Sequence, residues 1–188
     1  MTNCCCCCGS KEAKTIANLN AAFNGESNAS AKYAVYSEKA KADGYEALAA
    51  LFAAASKAET LHAARHARVL RSLGAEPVAN IAEYVGKDVR EMLQDAIAGE
   101  TEEFTAMYPG FIATAEAEGQ TAAVNSFQGA MEAEKIHAKL YAEALADTEA
   151  WRAKRDFYVC SICGWTEEGS APDKCPICGV PADKFLKF

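Results

Sequence analysis

A mainly α fold is what this 188-residue sequence predicts: a four-helix bundle with a long crossover between its second and third helices, plus a small C-terminal knuckle domain. Three observations carry the expectation. Alanine is abundant, and apolar residues recur every three to four positions over four long stretches. One pattern occurs twice, as Ala58-Glu59-Thr60-Leu61-His62-Ala63 and again, in the second half of the chain, as Ala133-Glu134-Lys135-Ile136-His137-Ala138. Lastly, two Cys-x-x-Cys-Gly segments, Cys160 to Gly164 and Cys175 to Gly179, lie near the end of the chain.

Residues 1–10, with five cysteines in a row, read as a mobile tail. A first helix is expected over residues 13–42, where Ile16, Leu19, Phe23, Tyr33 and Tyr36 mark a buried stripe, and Asp43-Gly44 ends it. A second runs over residues 45–73 and stops at Gly74 and Pro77. Residues 75–84 lack periodicity and form the crossover. A third helix covers residues 87–118 up to Gly119, with a kink expected at Pro109-Gly110, and a fourth covers residues 121–150. The expected units are the tail (1–10), the bundle (11–150) and the knuckle domain (151–188).

The halves of the bundle repeat each other. Gly25-Glu26 precedes Glu59 by almost the same interval as Gly99-Glu100 precedes Glu134, the second interval being one position longer. Each half is thus a helix with one glutamate, a turn, and a helix with Glu-x-x-His. With a rise of about 1.5 Å for each helical position, antiparallel helices of this length bring the glutamates to similar depth.

Composition narrows the function. The net charge is −7, with 13 basic and 21 acidic side chains before residue 151 and 6 against 5 after it. No basic stripe suits nucleic acid. No apolar stretch is long enough to span a bilayer, and residues 1–30 lack the basic-then-apolar start of an export signal. These readings predict a cytoplasmic protein, in which a four-cysteine cluster holds metal rather than disulfides.

Residues three apart share a helix face, so each Glu-x-x-His aims a carboxylate and an imidazole at one point. Glu26, Glu59, His62, Glu100, Glu134 and His137 together suit a pair of iron or manganese ions. Glu103 lies one turn after Glu100 and adds a fifth carboxylate, where the first half has Ala29. Five carboxylates sum to −1 both with two Fe²⁺ and with two Fe³⁺ plus an oxide, so redox change leaves the core charge constant. Glu102 reads as a surface residue. His66, one turn beyond His62, reads as a second-rank or partly exposed histidine, with an outer ligand or a proton carrier as alternatives. Tyr33 reads equally as core packing or as a hydrogen bond to a ligand carboxylate; Tyr36 reads as packing.

Cys160, Cys163, Cys175 and Cys178 offer four thiolates to one tetrahedral ion, zinc or iron. Gly164 and Gly179 allow the tight turns. A two-iron site that must be re-reduced favours iron here, which passes one electron at a time.

These residues resemble the rubrerythrin family over about residues 11–188. The resemblance rests on Glu26, Glu59-x-x-His62, Glu100-x-x-Glu103, Glu134-x-x-His137, the stretch around Tyr108-Pro109-Gly110 and the rubredoxin-like cysteine pairs. It implies a ferritin-like bundle holding two irons and a rubredoxin-like Fe(Cys)4 domain. The implied activity is a peroxidase that reduces hydrogen peroxide to water, using an upstream donor such as a reductase or a rubredoxin. The implied ligands are Glu26, Glu59, Glu100, Glu103, Glu134, His62 and His137, with Glu59 and Glu134 bridging. One iron would exchange Glu103 for His62 on reduction, and Tyr33 and Tyr108 match family tyrosines near the site. The family also implies a homodimer or larger assembly with one chain's cysteine domain beside its partner's di-iron centre. Two other readings are a ferroxidase or iron-handling ferritin-like protein and a zinc-knuckle scaffold. Cys4 to Cys8 depart from the family; an attachment tag or sequence artefact is the favoured account, soft-metal capture or crosslinking the other.

Overall fold

The computed structural model describes residues 14–188; Cys4 to Cys8 and the expected first residue of the first helix, Ala13, lie outside the described residues. The helices are α1 (Lys14–Ala42), α2 (Glu46–Ser72), α3 (Val89–Glu102), α4 (Tyr108–Ala117) and α5 (Thr121–Ala146). A π-helical turn, Glu103–Met107, joins α3 to α4. Beyond α5, a 3-10 turn (Thr148–Trp151) leads to a sheet of β1 (Phe157–Cys160), β2 (Thr166–Glu168) and β3 (Phe185–Lys187), ordered β2-β1-β3 and antiparallel throughout. Among the described residues no helix is long and apolar enough to cross a membrane.

Each half of the bundle is a helical hairpin. Gly44 and Gly119, at φ +79° and +70°, make the left-handed turns that end α1 and α4. Glu118, beside the second turn, accepts from the backbone N–H groups of Lys14 and Thr15 at 3.0 Å each. A carboxylate from the far hairpin thus caps α1, where the helix dipole favours negative charge.

The crossover is extended and runs parallel to α1. Three asparagines at every fourth position of α1 hold it: Asn20 Oδ1 accepts from Val78 N (3.3 Å), Asn24 Oδ1 from Asn80 N (2.8 Å) and Asn28 Oδ1 from Ala82 N (3.0 Å). The strand-like chain returns to the α2 start of the bundle, so α3 runs parallel to α2 and antiparallel to α1. The long crossover predicted from the missing periodicity is therefore present.

The third and fourth predicted helices need correction. The interruption of the α-helical pattern falls at the π turn, ahead of the expected Pro109-Gly110. Tyr108 N donates to Glu103 O, five positions back, and Pro109 is the second residue of α4, in the first turn, where a missing N–H is tolerated. The fourth helix ends at Ala146 rather than Ala150, because the 3-10 turn capped by Asp147 follows. The π turn also accounts for the unequal spacings. Tyr33 and Tyr108, Ala42 and Ala117, and Glu59 and Glu134 are all separated by one common interval, whereas Glu26 and Glu100 are one position closer than that. The extra residue of the second half therefore lies between Glu100 and Tyr108, where the helix widens.

Apolar packing is split by a polar middle. One cluster gathers Tyr33, Tyr36, Leu48, Leu51, Phe52, Met92 and Tyr141, and continues through Trp151 and Phe157 into the small domain. The other gathers Leu19, Leu70, Tyr108, Ala115 and Phe127. Along α1 and α2 the fully buried Glu26, Glu59 and His62 lie between the two.

Candidate metal centres

The polar middle holds four carboxylates and two imidazoles, all essentially without solvent exposure. They form two donor sets: Glu26, Glu59, His62 and Glu134, and Glu59, Glu100, Glu134 and His137, the atoms of each lying within 4.8 Å of one another. His62 Nδ1 is 2.8 Å from Glu59 Oε2 and 2.9 Å from Glu134 Oε1. His137 Nδ1 is 3.3 Å from Glu59 Oε1 and 2.9 Å from Glu134 Oε2. Glu59 and Glu134 thus give one oxygen to each set, the arrangement of two carboxylates bridging a pair of ions.

Both imidazoles are held in the tautomer a metal requires. His62 Nε2–H donates to Cys163 O at 2.9 Å. Thr166 Oγ1 donates to Gly164 O at 3.2 Å and so accepts from His137 Nε2–H at 3.0 Å. Each Nδ1 is left with a lone pair facing the pocket. The carboxylates are steadied from behind: Tyr33 OH donates to Glu100 Oε1 at 2.5 Å, and Tyr108 OH to Glu26 Oε1. Each tyrosine serves the glutamate of the opposite hairpin.

The pocket fits two cations on its own evidence. Glu26 Oε2, both oxygens of Glu59, His62 Nδ1, Glu100 Oε2 and Glu134 Oε1 are buried with no hydrogen-bond partner. Six orphaned donor atoms around one point would be costly without a charge to share. Without metal, protons carry that load. Burial, then the charge of Glu59, pushes Glu134 up to about 8. Burial and then Glu100 raise Glu59. Burial disfavours charge on His62 and His137, but Glu134 and Glu26 around the first and Glu59 around the second outweigh it, so both are raised. For Glu26, burial is outweighed by His62 and the carboxyl falls well below its usual range. Raised groups keep protons to higher pH, and cations must expel them. Iron(II) loading is accordingly expected to release protons and to tighten as pH rises toward about 8, the Glu134 value. Calorimetry in buffers of different ionisation enthalpy measures both.

Glu103 lies in neither set. It is half-buried at the first residue of the π turn. Burial, then Glu26, Glu100, Glu134 and Glu59, push it well above the carboxylate range. In this geometry His62 takes the fourth place at the Glu26 side. Of the other residues singled out, Tyr33 bonds a carboxylate rather than merely packing, and Tyr36 OH donates to Asp95 Oδ2 at 2.9 Å. His66 is fully buried instead of partly exposed, and burial lowers its pKa. Thr166, Ser126 and Tyr141 were not anticipated, because no local spacing places them beside the site.

In the small domain the four cysteines converge. Cys160 and Cys178 sulfurs are 3.6 Å apart, and Cys163 and Cys175 sulfurs 3.5 Å. These distances are far beyond a disulfide bond and near the edge, about 3.8 Å, of a tetrahedron with metal–sulfur bonds of about 2.3 Å. Hydrogen bonds from the Cys163 side chain, outweighing burial, and from the Ile162 and Cys163 N–H groups lower Cys160 to about 5. Burial raises Cys178 to about 11. Cys178 alone of the four is exposed.

The knuckle domain sits on its own chain's bundle, through Cys163 to His62 and Thr166 to His137. Here Trp151, stacked on Phe157 at 6.0 Å, folds the short connection back on the same chain.

Two interlocked donor sets in a bundle with a long crossover, joined to a four-thiolate knuckle, define a two-metal carboxylate protein with its own small metal-binding domain. A family model described as Rubrerythrin matches residues 17–145, and one described as Rubrerythrin, rubredoxin-like domain matches residues 158–186. The chain belongs to the rubrerythrin family. It is 36% identical to Rubrerythrin-2 of Clostridium acetobutylicum, covering 95% of this chain and 98% of that one. It is 36% identical to nigerythrin of Nitratidesulfovibrio vulgaris, covering 100% and 94%. A solved structure of fully reduced, all-ferrous nigerythrin superposes with a TM-score of 0.86 at 36% identity, over 93% of this chain and 86% of that chain. A bacterioferritin of Desulfovibrio desulfuricans, at 24% identity and a TM-score of 0.68 over 73% and 81%, shares the ferritin-like fold. The bundle thus carries a di-iron site and the C-terminal domain a rubredoxin-like four-cysteine site.

Proposed function

We propose that the protein is a non-haem di-iron peroxidase reducing hydrogen peroxide to water, with electrons entering through the four-cysteine centre. The observation that carries this reading is the hydrogen bond from His62 to Cys163 O, which couples a ligand of each metal site through one contact. An iron-storing bundle has no use for that connection.

Glu26, Glu59, Glu100, Glu134, His62 and His137 would hold the irons of the bundle, and Cys160, Cys163, Cys175 and Cys178 the third. When bound, the di-iron pair supplies two electrons at one place, matching the two that O–O cleavage consumes. Glu59 and Glu134 fix the spacing of the pair. Tyr33 and Tyr108 restrain Glu100 and Glu26, so the outer carboxylates keep their aim as charge changes. Glu103 and His62 act as alternating donors at the Glu26 side. Glu103 stands outside both donor sets with its pKa raised, so it would have to give up a proton before it could replace His62 at a bound metal. A reductase or rubredoxin would deliver single electrons at the exposed Cys178 edge. Assembly into a homodimer or larger oligomer belongs to this reading, although each chain already presents a whole site.

The test is a stopped-flow comparison. Diferrous protein is expected to oxidise faster with hydrogen peroxide than with dioxygen at equal concentration, followed by re-reduction through the four-cysteine centre. Faster oxidation by dioxygen, with ferric iron accumulating in the protein, would favour the ferroxidase reading instead.

A further inference from the structure

His66 and Ser126 belong to neither donor set, yet both are buried beside the di-iron site and bonded to each other. We propose that Ser126, His66 and Tyr108 form a proton relay from the bundle surface to Oε1 of Glu26. The idea rests on the peroxidase reading and deepens it: reducing one hydrogen peroxide to two waters takes two electrons and two protons, and the reacting pocket is closed to solvent.

The contacts make a continuous chain. Ser126 Oγ is 2.9 Å from His66 Nδ1, His66 Nε2 is 3.2 Å from the Tyr108 hydroxyl, and that hydroxyl bonds Glu26 Oε1. The other oxygen, Glu26 Oε2, faces the pocket without a hydrogen-bond partner. At the outer end, Ser126 lines a surface cavity of about 170 Å³ together with Arg65, Arg68 and Asn125. The His66 ring packs between Tyr108 and Phe127, at 6.0 and 5.3 Å between centroids, which holds both nitrogens in line.

The direction of every bond follows from the inner end. A carboxylate holding a cation can only accept, so Tyr108 donates to Glu26. The Tyr108 oxygen then accepts from His66 Nε2–H, which leaves Nδ1 to accept from Ser126. All three donors therefore point inward. A one-step shift moves the Tyr108 proton to Glu26 Oε1, the Nε2 proton to Tyr108 and the Ser126 proton to Nδ1, while cavity water restores the serine. The net change is one proton from solvent to Glu26, with no electron moved. A role confined to packing needs neither this polarity nor the cavity.

Ser126→Ala removes the outer link and leaves the Tyr108–Glu26 contact and all ligands intact. With full-length, iron-loaded protein, single-turnover proton uptake after peroxide mixing, followed with an indicator dye, is expected to slow about 10- to 100-fold. The solvent isotope effect should grow, iron content and visible spectra should stay unchanged, and Ser126→Thr should restore the rate. Proton uptake by Ser126→Ala within about twofold of wild type would overturn the relay. Redox-difference infrared spectra with ¹⁵N-labelled histidine provide a readout independent of turnover. An Nε2–H ring whose band shifts in Ser126→Ala supports the relay, and an Nδ1–H ring in wild type overturns it. Wild type inert to peroxide would defeat the peroxidase reading alone, because the infrared result needs only reduction and reoxidation of the metals.

Discussion

Metal-free Glu134→Gln protein is expected to melt at a higher temperature than metal-free wild type, with the order reversed once iron is supplied. Glu134 is fully buried, and burial and Glu59 raise it to about 8. A carboxyl raised on folding destabilises the fold progressively as pH climbs from its ordinary value toward its folded value, because the unfolded chain sheds the proton more readily. The amide removes that penalty. The advantage should vanish in acid below the ordinary carboxylate range and be largest above about pH 8. A gain of about 1–3 kcal/mol is expected, or several degrees for a chain of this size. The same change replaces one of the two Glu134 oxygens with a non-ligating NH2 and removes the bridging charge from both donor sets, so bundle iron should fall from two per chain to one or none. Thermal melts of metal-free and iron-replete protein, with iron analysis, check both signs.

Gly164→Ala is expected to uncouple the two metal centres while leaving each loaded. Gly164 has φ +80°, and a Cβ there would overlap the His62 imidazole. The added methyl meets a ring fixed in a packed pocket and an unfavourable backbone well, together costing about 1–3 kcal/mol. The cheapest escape is for the knuckle domain to lift from the bundle, breaking the Cys163–His62 bond and the Thr166–His137 bond. Re-reduction of the oxidised di-iron centre should slow by about 100-fold or more, while its first reaction with peroxide changes by less than about threefold. Stopped-flow traces of the four-cysteine absorbance separate the two steps. Equal slowing of both would show that Gly164 shapes the His62 side of the pocket instead of the connection.

The bundle and its six central donors were legible because helical spacing is a local property: Glu59 and His62 share a face whatever surrounds them. The four cysteines were legible for the same reason, since each Cys-x-x-Cys closes its own turn. The residues that tune those donors were not, because Thr166, Ser126 and Gly164 reach the site only after one element docks on another. The π turn is an intermediate case. The unequal intervals, Glu26 to Glu59 against Glu100 to Glu134, already record an extra residue in the second half. Locating it needed the second comparison, Tyr33 with Tyr108, and Pro109 drew attention to a later position. Glu103 was grouped with Glu100 on ordinary helical spacing, but it begins the widened turn and stands outside both sets.

The asparagines of α1 act as a ruler. One step of the ladder advances about 6 Å along the helix and about 6.6 Å along the extended chain, so rungs match for a few steps before drifting apart. Three rungs, at Asn20, Asn24 and Asn28, stay inside that tolerance. They fix how far the chain has travelled along α1 before α3 begins, and therefore which residue of α3 arrives level with Glu26. One residue inserted between Val78 and Ala82 would spoil the gauge, whereas one inserted between Tyr84 and Asp88 would be absorbed as slack.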